Sequence, residues 1–205
     1  MNEVRNILEQ LRKAKTILLI LLFVSFILFY YKSLITEVVE SKVKKEKDVI
    51  KEDITNNILI HQMLNDLMLR YESDRAYVFR FSNSIRFYDG VHKNHQSLTH
   101  EVCNKGISSE AMNLQNLPTS LYPMFLQEVM LHRMIYNDVN EIKENVTRIS
   151  LKQQGIKSLV VAPVFNKGKF TAYVGVDFVK QKNDKKIDYI EFKHYTDEIG
   201  RMLSE

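Results

Sequence analysis

The stretch GIKSLVVAPVFNKGKFTAYVGVDFV, residues 155–179, decides the fold of the domain that contains it. Residues 157–165 form a nearly continuous apolar run, and residues 170–179 alternate between two faces, as β-strands do. The four residues between the two runs, NKGK at 166–169, are typical of a tight turn. The pattern therefore predicts an antiparallel hairpin at the centre of a sheet.

The residues around this hairpin predict a mixed α+β domain. Apolar alternation and short apolar runs predict strands at 75–81, 97–103 and 135–139. Helical spacing predicts helices at 122–134, 142–154 and 187–203, and the capping sequence Ser108-Ser109-Glu110 predicts one more. In the last helix we expect Ile190, Ile199 and Leu203 to be buried. These elements indicate helices packed against an antiparallel sheet.

Near the N-terminus, residues 16–31 read TILLILLFVSFILFYY and contain no charge. A helix of this length crosses most of the hydrocarbon core of a bilayer, and the flanking lysines can snorkel. A cleaved signal peptide is disfavoured because no small-x-small site follows, and a core helix because the segment is apolar on every face. We expect a transmembrane helix at residues 16–35, anchored by Ile17, Leu18, Leu19, Leu22, Phe23, Phe26, Leu28, Tyr30 and Tyr31.

The basic residues that flank this helix favour one orientation in the membrane. The basic tail, residues 1–15, places Arg12, Lys13 and Lys15 next to the apolar segment, whereas only Lys32 lies as close on the other side. Positive charge concentrates on the cytoplasmic side. The sequence thus predicts a single-pass protein of the inner (plasma) membrane, with the N-terminus inside and the C-terminal domain in the periplasm.

The segment between the membrane and the domain mixes lysines with acidic residues and predicts a charged helical stalk at residues 36–54. Residues 32–70 contain neither Gly nor Pro, so a helix that leaves the membrane can continue into the domain at residues 55–205. Apolar residues at helical spacing along this segment favour a homo-oligomer.

Several residues of the hairpin resemble a known fold family. Gly155, Ser158, Pro163 and Gly175 stand where the last hairpin of GAF domains has Gly-Ile/Val-x-Ser-x-x-x-x-Pro and a mid-strand glycine. Residues 74–79 (DRAYVF) resemble the first GAF strand. The resemblance covers roughly residues 55–204 and implies a GAF/PAS-like fold, which serves in different proteins as a small-ligand sensor or as a dimerisation module.

The order of segments is similar to that of a second family, the holins of T-even bacteriophages. Both have a short basic tail, one transmembrane helix, a charged stalk, a GAF/PAS-like domain and a closing hairpin and helix. This resemblance implies a lysis protein that oligomerises in the inner membrane, and a regulatory, antiholin-like protein that binds its periplasmic domain. The holin-like function is the main interpretation, and a membrane-tethered GAF-type sensor or dimerisation module is the alternative.

The GAF resemblance implies where a ligand pocket would lie. By that analogy Tyr88, His92, Ser97, Thr99, Glu101 and Asp138 line it, between the sheet and the loops after the first strands. Asp177 is a further candidate because it interrupts an otherwise apolar strand. Such a charge faces solvent on the outer side of the sheet, lines a ligand pocket, or pairs with Arg75 or Arg80.

Composition and motifs argue against other classes of function. The net charge of +4 is mild and the basic runs are diluted by acids, which disfavours nucleic-acid binding. The one cysteine, Cys103, excludes an intrachain disulfide, and the spacing of His92, His95 and His100 matches no standard zinc framework. No catalytic motif stands in the chain, so we expect neither enzymatic activity nor a cofactor or metal.

Overall fold

In a computed structural model of the chain, one helix, α1 (Asn2–Tyr71), precedes all other elements. The structure describes the backbone of residues 2–86, 92–131, 134–136, 138–183 and 187–204. It describes the side chains of residues 12–32, 36, 38–39, 50–83, 94–131, 138–183 and 187–204. The chain divides into two compact units, residues 1–52 and residues 53–205.

The first unit contains a helical segment, Arg12–Lys32, that is long and apolar enough to cross a bilayer. None of its side chains is buried by the rest of the protein, and all of the large apolar ones except Ile27 expose about half or more of their surface. A soluble helix buries its apolar stripe, so this exposure is what a lipid-facing helix requires. By its length and composition the segment agrees with the predicted transmembrane helix.

The second unit contains a six-stranded antiparallel sheet with the strand order β3-β2-β1-β6-β5-β4. The strands are β1 (Arg75–Arg86), β2 (His92–Cys103), β3 (Leu117–Pro118), β4 (Met134–Tyr136), β5 (Ser158–Asn166) and β6 (Lys169–Phe178). The helices after α1 are α2 (Pro123–Leu131), α3 (Asn145–Gln153) and α4 (Tyr189–Met202). The α+β fold with helices on an antiparallel sheet is the one the sequence predicts.

The predicted hairpin is formed by β5 and β6, and its turn residues Lys167 and Gly168 both have positive φ, +49° and +75°. Two such residues make the turn whose twist suits a two-residue hairpin. One detail of the prediction is wrong, because β1 inserts beside β6 and the β1–β6 pair forms the centre of the sheet. Strand β5 lies one position from the edge.

Both faces of the sheet are buried, which explains why β5 is apolar along nearly its whole length. One face packs against the end of α1 and against α4, through side chains that include Leu64, Leu67, Phe192 and Ile199. The other face packs against α2, α3 and the connecting segments, through Phe125, Val129, Ile142 and Ile156. The candidate site described below lies on this second face.

Helix boundaries differ from the predictions where side chains find tertiary partners. The helix predicted after Ser108 does not form, because the segment is bonded to β2 at both of its ends. The N–H groups of Glu110 and Ala111 donate to the Glu101 carboxylate, and the Leu114 carbonyl oxygen accepts from the Leu98 N–H. The predicted helix at 122–134 ends at Leu131, and a short strand, β4, follows. Gly155, with φ of +75°, ends α3 as predicted.

The last helix, α4, exposes one residue that we expected it to bury. Asp188 caps the helix by accepting hydrogen bonds from the N–H groups of Ile190 and Glu191. Phe192 and Ile199 are fully buried against the sheet, whereas the Ile190 side chain is 81% exposed. The prediction for Ile190 is wrong because the cap places it in the first turn on the solvent side.

Candidate ligand-binding site

A cavity of about 60 Å³ lies on the second face of the sheet, beneath α3 and the segment that follows β2. Strands β1, β2 and β6 form its floor. Its polar lining consists of Arg75, Gln96, Glu101, Thr147, Ser150, Gln154 and Asp177. Its apolar and aromatic lining consists of Tyr77, Phe79, Leu98, Leu114, Leu117, Tyr122, Phe125, Leu151, Ile156 and Tyr173.

Arg75 is the cation of this cavity, and its side-chain hydrogen bonds go to Gln154. Its side chain is 4% exposed, and its Nη2 atom donates a 3.1 Å hydrogen bond to the backbone oxygen of Gln154. The Nη1 atom lies 3.5 Å from the Gln154 side-chain oxygen and 4.0 Å from a Glu101 carboxylate oxygen. The guanidinium is thus fixed by the C-terminal end of α3, and its Nε–H remains for another partner.

Asp177 faces that Nε–H, because Arg75 and Asp177 are direct neighbours across β1 and β6. The distance from Arg75 Nε to Asp177 Oδ1 is 3.7 Å, too long for a hydrogen bond. Within the described part of the chain, neither of these two buried atoms has a hydrogen-bond partner. A buried donor and a buried acceptor therefore lie next to each other at the cavity, and neither makes a hydrogen bond.

Burial also decides the charge state of Asp177. Its side chain is 2% exposed, so the solvent-facing interpretation of this residue is wrong. Burial raises the pKa of Asp177 to about 7, the Arg75 guanidinium opposes the rise, and the Glu101 carboxylate adds to it. Near neutral pH this carboxyl group is close to its own titration point, unlike an exposed aspartate.

Glu101 lines the same cavity but has its hydrogen bonds satisfied. Its carboxylate accepts from Ser109 Oγ at 2.5 Å, from the Glu110 N–H at 3.0 Å and from the Ala111 N–H at 3.2 Å. These bonds fasten the segment between β2 and β3 to the sheet, and this segment carries Leu114 into the cavity wall. Glu101 thus positions the wall of the cavity.

The aromatic side chains of the wall are packed and hydrogen-bonded. Tyr173 donates a 2.8 Å hydrogen bond to Gln96 Oε1, and its ring stacks on Phe79 with centroids 5.0 Å apart. Burial raises the pKa of Tyr173 well above its ordinary value, so the hydroxyl stays protonated. The ring of Tyr77 covers Gly175, where an added Cβ would lie 2.4 Å from a ring atom.

The structure brings two of the seven candidate residues together at the cavity, Glu101 and Asp177. Ser97 instead accepts from the Asn116 N–H, and Thr99 donates to the Val78 carbonyl oxygen. Asp138 accepts from the Asn140 N–H, caps the short helix Val139–Glu141 and pairs with Lys182. Tyr88 and the side chain of His92 lie outside the described residues.

Sequence reasoning missed most of the cavity lining, above all Gln96, Gln154 and Tyr173. Arg75 was a candidate partner of Asp177, and the structure shows that pairing in place of one with Arg80. The signal in the sequence for this pair was the presence of two opposite charges, Arg75 and Asp177, in two predicted strands whose side chains alternate between the two faces of the sheet. Only the register of β1 against β6 places the two charges side by side.

Among the histidines whose side chains the structure describes, none lines the cavity. His100 contacts Asn57 Oδ1 through Nε2 at 2.8 Å and Thr99 Oγ1 through Nδ1 at 2.9 Å, which ties β2 to α1. Burial lowers the pKa of His100 to about 4, so the ring is neutral at physiological pH. Among the side chains that the structure describes, no three His, Cys, Asp or Glu residues are grouped as metal ligands would be.

Comparisons with known proteins place the fold and leave the function open. No family model and no curated protein sequence matches the chain. Among solved structures it is similar to the photoproduct state of GAF3 from Slr1393 of Synechocystis sp. PCC6803, with 15% identity and a TM-score of 0.56 over 72% of this chain and 92% of that one.

Two further GAF domains match to a similar extent. The blue-light absorbing form of the Thermosynechococcus elongatus PixJ GAF domain has 9% identity and a TM-score of 0.58, with 74% of this chain and 86% of that one covered. The phycoerythrobilin-bound GAF domain of a cyanobacterial phytochrome has 16% identity and a TM-score of 0.56, with coverages of 80% and 94%. The chain therefore contains a GAF-like fold.

Proposed function

We propose that this chain is a membrane-anchored sensor module whose GAF-like unit binds a small ligand in the cavity beside Arg75 and Asp177. One observation carries the proposal. Arg75 Nε and Asp177 Oδ1 are buried at the cavity without hydrogen-bond partners among the described residues. A buried polar atom without a partner costs about 1–3 kcal/mol, and a ligand that satisfies both atoms recovers that cost.

The size of the cavity bears on the kind of ligand. Its volume of about 60 Å³ lies far below the roughly 300–1,000 Å³ of pockets for drug-sized molecules. A bilin of the kind bound to the phytochrome GAF domain is much larger than this space. We therefore propose a ligand of a few non-hydrogen atoms for this chain, and binding without catalysis.

The apolar helix supports the membrane part of the proposal. The segment Arg12–Lys32 exposes its apolar side chains on every side, which is stable in a bilayer and costly in water. We propose a single-pass protein with its N-terminus in the cytoplasm. Copies of the chain assemble as a homo-oligomer, and ligand binding to the GAF-like unit is transmitted to a partner protein.

A thermal-shift screen of small polar compounds against the detergent-solubilised full chain tests the ligand proposal. We expect at least one compound to raise the melting temperature of the wild type and to lose this effect in Arg75→Lys, which keeps the charge but lacks Nε. The matched control is Arg80→Lys, on the same strand but exposed. The proposal is wrong if no compound stabilises the protein or if Arg75→Lys responds as the wild type does.

A holin-like lysis protein is the second candidate, and the exposed apolar helix is the observation that favours it. In this case the chain oligomerises in the inner membrane, and a regulatory, antiholin-like protein binds the GAF-like unit. Induction of the full chain in a bacterium would then abolish the membrane potential abruptly, and deletion of residues 1–35 would prevent the loss. Continued growth with an intact potential would exclude this candidate and leave the sensor proposal standing.

A further inference from the structure

We infer that the ligand is a small neutral amide, which accepts a hydrogen bond from Arg75 Nε and donates one to Asp177 Oδ1. This inference rests on the proposed function and names its ligand class. It follows from three properties of the cavity: its unpaired hydrogen-bonding atoms, one of which is a donor and the other an acceptor, its charge, and its size.

Arg75 Nε and Asp177 Oδ1 can both be satisfied by one small molecule that carries an acceptor and a donor. Arg75 Nε–H can only donate, and an ionised Asp177 carboxylate can only accept. The two atoms lie 3.7 Å apart, so one ligand can engage both at once. A carboxamide carries its oxygen and its NH₂ group on a single carbon, which is the pairing that this donor and acceptor require.

The charges of the cavity disfavour an anion, and the unpaired Nε–H donor of Arg75 disfavours a cation. Arg75 supplies one positive charge, and above the Asp177 pKa of about 7 the carboxylates of Glu101 and Asp177 supply two negative charges within 4.0 Å of it. An anion would meet these two carboxylates, and it offers Asp177 Oδ1 no donor. A cation that carries only N–H groups would leave Arg75 Nε–H without an acceptor and would repel the guanidinium. A neutral ligand satisfies both atoms without an added buried charge.

The volume and the walls set the size of the amide. Benzene fills an engineered apolar cavity of about 150 Å³, so a space of about 60 Å³ accommodates roughly two to four non-hydrogen atoms. Phe79, Leu98 and Leu114 form an apolar wall that suits a methyl group. Formamide and acetamide have these properties and serve as probes.

Three probes of nearly identical shape separate the alternatives: acetamide, acetate and acetamidinium. They offer a donor with an acceptor, acceptors only and donors only, respectively. In NMR titrations of the full chain in detergent micelles at pH 8, we expect acetamide to bind roughly tenfold or more tightly than the two ions, since each ion leaves a buried group unpaired. Equal or tighter binding of either ion would overturn the ligand class.

The substitution Asp177→Asn is expected to reverse the preference between acetamide and acetate, and it is the decisive control. In Asp177→Asn the side-chain amide can turn its NH₂ group toward the ligand, so the site presents two donors and one negative charge fewer. We expect this variant to prefer acetate over acetamide. Asp197→Asn, an exposed position on α4, should keep the wild-type preference. An unchanged preference in Asp177→Asn would place the ligand elsewhere and overturn the inference.

A measurement on the wild type alone covers the case in which Asp177→Asn does not fold. Asp177 becomes a donor when it takes up a proton, and its pKa of about 7 lies within reach of a titration. The charged and titratable groups that act on it are Arg75, Glu101, Asp74 and Glu110, with Tyr77 beside them. Acetate affinity should therefore rise as the pH falls from 8 to 6, and a flat profile would contradict the inference.

These outcomes distinguish the inference from the proposed function. If the amide and both ions fail to bind while another compound from the screen binds in an Arg75-dependent manner, the ligand class is wrong and the sensor proposal stands. If no compound binds at all, both are wrong.

Discussion

Asp177 and His100 are two buried titratable residues whose environments shift their pKa values so that their pH effects on stability are opposite. Burial raises the pKa of Asp177 from 3.8 to about 7, so the folded protein holds a proton that the unfolded chain has released. Burial lowers the pKa of His100 from 6.5 to about 4, so the unfolded chain holds the extra proton. The Asp177 contribution to stability therefore falls with rising pH, and the His100 contribution rises.

The first prediction isolates the Asp177 contribution. Between pH 4 and 7, the free energy of unfolding of the wild type should fall relative to that of Asp177→Asn, by an amount on the order of a few kcal/mol. Denaturant unfolding of both proteins at several pH values measures this difference, and His100 cancels because both proteins contain it. A difference that stays constant across this range would mean that Asp177 is ionised throughout.

At the scale of the elements, strands β1 and β6 form the centre of the sheet and also carry residues of the candidate site. Tyr77 pairs with Gly175 two residues from the Arg75–Asp177 pair, and its ring fills the space that a side chain at position 175 would take. The same pair of strands thus presents an aromatic wall and a buried charge pair to one cavity. A change in their packing is expected to alter stability and ligand binding together.

The second prediction concerns this close approach. In Gly175→Ala, the new methyl group would lie 2.4 Å from a ring atom of Tyr77, so the ring or the strand must move. We expect a loss of about 1–3 kcal/mol in the free energy of unfolding. In a Tyr77→Val background the same methyl group should cost much less. Double-mutant denaturation measures this coupling, and additive effects would show that the contact is not the cause.

At the scale of the whole molecule, the two units differ in what covers their apolar surface. The second unit, residues 53–205, buries both faces of its sheet with its own helices and connecting segments. The first unit leaves the apolar surface of Arg12–Lys32 uncovered within the chain. We therefore assign association with a bilayer to the first unit and ligand binding to the second, as proposed above.

The third prediction tests the membrane part of this assignment. Arginine at positions near the middle of the helix, in the double variant Leu22→Arg and Phe26→Arg, should cost about 2.5–3.5 kcal/mol per residue on insertion. We expect the wild type to remain with membranes after a high-salt wash and the variant to shift to the soluble fraction. Leu22→Ile with Phe26→Leu keeps the segment apolar and should behave as the wild type. Unchanged fractionation of the arginine variant would contradict membrane insertion.

Local sequence patterns were sufficient for the elements whose cause is local. The apolar helix follows from an uninterrupted run of apolar residues, and the β5–β6 hairpin follows from an apolar run and an alternating run on either side of the turn at Lys167-Gly168. Residues 108–116 show the opposite case. Their capping sequence predicts a helix, but strand β2 holds the segment in another conformation, through the Glu101 carboxylate and through the Leu98 N–H, which donates to the Leu114 carbonyl oxygen. These partners are distant in sequence and are not visible in the segment itself.

The sequence by itself determined that a highly apolar helix precedes an α+β domain, because periodicity and composition depend only on neighbours along the chain. Tertiary structure alone decided which residues form the candidate site. Asp177 lies opposite Arg75 because of the register between β1 and β6, and α3 then holds that guanidinium through Gln154. Register and packing join residues about one hundred positions apart, so the unused hydrogen-bonding atoms of the cavity emerge only when the chain has folded.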